Sequence, residues 1–116
     1  MQQNINLENT KAQMRKGVLE LCILSILDKG DQYPSEIIEK LKKARLIVVE
    51  GTLYPLLTRL KNEGLLAYRW EESVSGPPRK YYRLTPIGQK FLKELNLAWQ
   101  ELTECVNQTI PKSYKQ

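Results

Sequence analysis

The sequence predicts a mainly α chain with a small β-hairpin: a winged helix-turn-helix followed by a long C-terminal dimerisation helix. Three observations predict it. Residues 49–66 read V-E-G-T-L-Y-P-L-L-T-R-L-K-N-E-G-L-L. Leu53, Leu56, Leu57 and Leu60 fall at i, i+3, i+4 and i+7, so they share one helix face opposite a polar one. A basic, alternating two-strand segment follows at once, and after it an apolar stripe at helical spacing runs nearly to the end.

Taken in order, residues 1–10 are polar and read as a flexible tail. A first helix is expected over residues 10–27. Its apolar positions, Met14, Val18, Leu21, Ile23, Leu24 and Leu27, are broad enough to serve both its own core and a second subunit. Gly30 and Asp31 stop it. The second helix begins near Pro34, a residue suited to the first helical position because its missing N–H costs nothing there. It runs to about Ala44, with Ile37, Ile38 and Leu41 inward. The β-branched run at 46–49 suits extended chain. Glu50 is the expected acidic N-cap of the third helix and Gly64 its stop. Pro55, one turn inside, predicts a tight or kinked first turn.

Residues 65–72 alternate, with Leu66, Tyr68 and Trp70 on one face; residues 79–84 form the returning strand, with Tyr82 and Leu84 on its apolar face. The Ser-, Gly- and Pro-containing segment 73–78 predicts a loop too long for a two-residue turn. Thr85 and Pro86 restart a helix as N-cap and first position. Ile87, Phe91, Leu95, Leu102 and Val106 trace its stripe, with Trp99 in line. The divisions are thus a tail at 1–10, a winged helix-turn-helix at 11–84, a dimerisation helix at 85–110 and a tail at 111–116.

The 116 residues suffice for one core. Lys and Arg total 18 against 13 Asp and Glu, a net charge of +5. The excess lies in residues 11–84, which favours a polyanionic partner. No apolar run reaches the roughly 18 residues of a membrane span, and no signal peptide opens the sequence. Cys22 and Cys105 are far apart and read as buried packing residues of a cytoplasmic protein. With no histidine, no metal cluster, no phosphate-loop glycines and no nucleophile beside a base, neither a metal, a cofactor nor an enzymatic activity is expected.

A helix in the major groove reads bases through side chains near its N-terminus. Here these are Thr52, Pro55, Thr58 and Arg59. Threonine can bond a base edge or touch the thymine methyl; Arg59 either grips guanine with two bonds or holds phosphate. Tyr54 and Lys61 fall where phosphates position the helix without reading sequence. The wing would bring Arg79 and Lys80 to the adjacent minor groove or backbone, with Lys42 and Lys43 as weaker phosphate partners. Adjacent strand residues point to opposite faces, so at most one of Tyr81 and Tyr82 is free. The last helix has too little core beneath it for a monomer. A homodimer would present two recognition helices about 34 Å apart, or a multiple, to a palindromic duplex. A winged-helix protein-interaction module without DNA binding is the competing reading; salt-dependent duplex binding separates the two.

The string G-T-L-Y-P-L-L-T-R-L-K-N-E-G-L-L (51–66) resembles the recognition-helix signature of the PadR family of bacterial transcriptional regulators. P-R-K-Y-Y-R-L-T-P-I-G (78–88) resembles that family's wing strand and helix restart, and M-R-K-G-V-L-E-L-C-I-L-S-I-L its first helix. The three blocks are colinear over about residues 14–99. Departures occur at Gln32-Tyr33-Pro34-Ser35, where a Gly-Tyr pair is frequent, and at Ser75-Gly76-Pro77-Pro78, where a Gly-Gly pair is common. The resemblance implies a homodimeric repressor that releases DNA in response to an effector. It also implies that Trp99 lines a pocket between subunits for a small planar aromatic compound; the competing reading makes Trp99 an interface packing residue.

Overall fold

The computed structural model describes residues 6–115. Helix α1 spans Leu7–Asp28, α2 Pro34–Lys43, α3 Glu50–Asn62 and α4 Pro86–Thr109. Strands β1, Leu66–Ser73, and β2, Gly76–Leu84, form an antiparallel hairpin between α3 and α4. A 3-10 turn, Lys112–Tyr114, follows.

The first helix starts inside the segment expected to be a flexible tail. The Asn6 side chain accepts a hydrogen bond from the Asn9 N–H at 3.0 Å, and this cap supports a helix from Leu7 onward. The rest of that expected tail, residues 1–5, lies outside the described residues, as does residue 116 of the expected C-terminal one. Helix α2 begins at Pro34 as expected, and the Tyr33 N–H donates to Glu36 Oε1 at 2.8 Å.

Helices α2 and α3 end in the same motif. The Leu46 N–H donates to the Leu41 carbonyl at 2.8 Å, and the Leu65 N–H to the Leu60 carbonyl at 3.0 Å. Each closure places the preceding residue at positive φ, Arg45 at 65° and Gly64 at 81°. At the start of α3, Val49 rather than Glu50 is the N-cap, because its extended backbone offers the carbonyl to which Thr52 and Leu53 donate. Glu50 becomes the first helical residue, where its charge complements the helix dipole. The Thr52 bond spans three residues, as does the bond from Glu36 to Tyr33 at the start of α2, and α3 runs as an α-helix through Pro55.

The hairpin tip is shorter than expected. Ser73 pairs with Gly76, leaving only Val74 and Ser75 in the turn. Pro77 and Pro78 belong to β2, opposite the single residue Glu72, where the register shifts. Prolines have no N–H to give a ladder, so a bulge is where a strand tolerates them. Gln32 extends the sheet from the other edge, exchanging bonds of 3.0 and 2.9 Å with Tyr82.

The core gathers Leu19, Ile23, Leu24 and Leu27 of α1, Ile37 and Leu41 of α2, and Leu53, Leu57 and Leu60 of α3 under Leu65, Leu66 and Tyr82. Leu56 packs at its margin. Helix α4 buries little beyond Gly88 and Leu92. Its start is fixed by Thr85, whose hydroxyl oxygen accepts from the Gly88 N–H at 3.0 Å and lies 2.7 Å from the Gly64 carbonyl. Among the described residues no helix is long and apolar enough to cross a membrane.

Candidate nucleic-acid interface

Burial of Leu53, Leu57 and Leu60 decides which side of α3 is free. Thr52, Tyr54, Pro55, Thr58, Arg59 and Lys61 are all exposed. At a hundred degrees per residue, Gly51, Pro55, Thr58 and Asn62 occupy the centre of the outer face. Tyr54 and Lys61 lie on one flank, Thr52 and Arg59 on the other. Pro55 has no N–H for the Gly51 carbonyl, so that acceptor is left without its intrahelical bond on the outer face.

The flanks have different neighbours. Lys61 lies over the Tyr68 ring of β1, 5.7 Å from its centroid, and Lys80 approaches the same ring at 4.6 Å. These two predicted residues therefore come together, on the wing face that looks toward α3, with Trp70 beside them. Arg79 does not join them. It stands on the opposite face of the hairpin, 3.9 Å over the ring of Tyr33. Tyr33 meets Tyr81 edge-on at 4.5 Å, and Arg69 covers Tyr81 at 4.4 Å while donating to Asp31 at 2.7 Å. Strand alternation separates Arg79 from Lys80. Alternation also divides the tyrosines: Tyr82 is buried, which pushes its phenol pKa up, and Tyr81 is half-buried in the stack.

On the other flank, Arg59 is not a free cation. Its Nη1 donates to the carboxylate of Glu63 at 3.0 Å, and its Nη2 to Glu20 of α1 at 3.3 Å. The hydrogen bond it donates to Glu63, followed by the one it donates to Glu20, holds the guanidinium more firmly protonated than usual. Sequence reasoning missed this cluster because Glu20 lies 39 residues away. It also missed Arg15 and Lys16, which line a depression with Thr52 near the start of α3. Lys42 and Lys43 are exposed at the end of α2.

A second concave feature lies between α1 and α4. A cavity of about 590 Å³ is lined by Met14, Val18, Leu21, Trp99, Leu102 and Val106 among others. That volume is within the ordinary range for ligand pockets. Trp99 keeps 41% of its surface exposed and Leu102 55%. The expectation that both cysteines are buried holds only in part. Cys22 is half-buried, which pushes its thiol pKa up, whereas Cys105 is exposed because that end of α4 extends past the protomer's core. Among the described residues no group of His, Cys, Asp or Glu could hold a metal.

Three packed helices, a two-stranded wing and a long terminal helix define a winged helix-turn-helix protein. Residues 23–94 match the transcriptional regulator PadR-like family. The X-ray structure of a PadR-like transcription factor from Bacteroides fragilis is similar, with 64% identity and a TM-score of 0.74 over 88% of this chain and 99% of that one. A PadR family transcriptional regulator from Eggerthella lenta superposes with a TM-score of 0.85 at 32% identity, over 91% of this chain and 93% of that one. A transcriptional regulator of Mycobacterium tuberculosis is 32% identical over 90 residues, 78% of this chain and 83% of its own length. The chain belongs to the PadR-like family of transcriptional regulators, proteins that bind DNA and are not enzymes.

Proposed function

We propose that this chain is a cytoplasmic, homodimeric repressor that binds a palindromic operator and releases it when a small planar aromatic compound binds between the subunits. The observation that carries the DNA reading is the free outer face of α3, bounded by Lys61 and Lys80 on the wing side. In this reading Thr52, Pro55, Thr58 and Arg59 meet base edges, Tyr54, Lys61 and Lys80 meet phosphates, and Arg79 reaches the backbone from the outer face of the wing. The unpartnered apolar side of α4, with Trp99, Leu102 and Val106 exposed, supports the two-fold dimer. The cavity beside Trp99 supports the effector: an indole stacks on a flat apolar ligand and offers its N–H as a polar contact.

Selection of bound sequences from random duplexes tests the reading. A two-fold symmetric motif is expected, and an asymmetric one would overturn the dimeric operator complex. Arg59→Ala is expected to weaken binding to the selected duplex about tenfold or more, the worth of a bidentate base contact. The dimer should stay intact in sedimentation. Unchanged affinity in a shift assay would remove Arg59 from the interface.

A further inference from the structure

Arg59 is the one arginine of α3, yet both of its terminal nitrogens are committed within the protein. Nη1 lies 3.1 and 3.0 Å from the two carboxylate oxygens of Glu63, and Nη2 lies 3.3 Å from Glu20 Oε2. The three groups together carry one net negative charge, on one flank of the helix proposed to enter a polyanionic duplex. Glu63, the residue that caps the end of α3, sits four residues on and is the ordinary local partner of an arginine. Glu20 is not. It reaches across from α1, and its side chain is only 28% exposed, so water screens this pair less than a fully solvated one. A guanidinium grips guanine or phosphate in a fork with adjacent N–H groups. Whether the fork is made by Nη1 with Nη2 or by Nε with Nη2, it draws on Nη2, the nitrogen that Glu20 holds, and so competes with that contact. Glu20 also lines the cavity that holds Trp99, so one side chain borders both the recognition helix and that cavity.

We infer that Glu20 is an intramolecular competitor for Arg59, a positioning residue that lowers the affinity of α3 for duplex DNA by holding the guanidinium against α1. The inference rests on the proposed docking of α3 on a duplex. Breaking the Glu20 contact removes one of the interactions that binding must replace. The gain in affinity therefore depends on the presence of Arg59, whereas simple relief of repulsion between a carboxylate and phosphates does not.

A double-mutant cycle on the full chain separates the two. The affinity for the selected duplex is measured by fluorescence anisotropy for Glu20→Gln, Arg59→Ala and the double variant. Glu20→Gln is expected to tighten binding about two- to fivefold, the range of an exposed to half-exposed ion pair. In the Arg59→Ala background it should gain less than half as much. Glu20→Asp keeps the charge but draws it back from the guanidinium, and should behave like Glu20→Gln. Thermal unfolding of each variant confirms that it is folded. Equal gains in both backgrounds, a loss of affinity, or wild-type behaviour of Glu20→Asp would overturn the competitor role while leaving the DNA reading in place. Absence of salt-dependent duplex binding by the wild-type chain would remove that reading and this inference with it.

Discussion

Replacing Gly88 with alanine is expected to destabilise the protein by about 2 kcal/mol or more, although alanine is the better helix former. A Cβ at this position would lie 2.1 Å from the Leu65 carbonyl oxygen and 2.8 Å from a methyl of Leu84. The oxygen is backbone, so no rotamer change relieves the contact. Helix α4 would have to back away from the end of α3, stretching the bonds by which Thr85 ties Gly64, Leu65 and Gly88 together. For a domain near this size, such a loss lowers the unfolding midpoint by roughly 10 °C. Gly51→Ala is the control. A Cβ there meets nothing within 4 Å, so its midpoint should hold or rise. Equal behaviour of the two variants in differential scanning calorimetry would show that α4 is not locked to the recognition helix at Gly88.

Replacing Leu102 with glutamate should split the proposed dimer and reduce duplex affinity about a hundredfold or more. Leu102 sits on the apolar side of α4 in line with Trp99 and Val106, and more than half of its surface is open in the protomer. A two-fold interface repeats every substitution, so two carboxylates would be buried without partners. The protomer itself loses little, since that side chain contributes nothing to the core, and its thermal unfolding should change only modestly. Separated protomers bind one half-site each and forfeit the effective concentration that linkage provides. Sedimentation velocity at micromolar concentration should show a single species of monomer mass. A dimer with unchanged duplex affinity would sink the two-fold arrangement.

Both expectations depend on α4, which is also where sequence and structure divide most clearly. The helix itself was legible: Thr85 and Pro86 mark its start, and its apolar stripe has helical spacing. Gly88 carried no such mark. A glycine near a helix start looks like a weak helix former until the chain at Leu65 is seen against it. The hairpin shows the same division. Its two strands were evident from alternation, but the pair of prolines suggested a long loop, and only the register revealed that a bulge absorbs them. On α1 the broad apolar face was apparent, while the Asn6 cap that lengthens the helix was hidden among polar neighbours.

The recognition helix divides in this way too. Leucine spacing alone identified which side of residues 50–62 is buried and hence which residues are free. That spacing could not reveal that Lys61 and Lys80 flank a common aromatic ring, that Arg79 belongs to the other face of the wing, or that Arg59 is held by Glu20. Periodicity, caps and turn residues are local. They act within one or two turns of chain, so the sequence by itself determined the elements, their order and the apolar sides of α2 and α3; on α4 the core takes Gly88 and Leu92, whereas Ile87 and Phe91 of the expected stripe stay exposed. The pairing of a charge with a carboxylate 39 residues away, and the approach of a glycine to a distant carbonyl, depend on how those elements pack. Only the tertiary structure decided them, because many sequences with the same local pattern place different side chains at the contact.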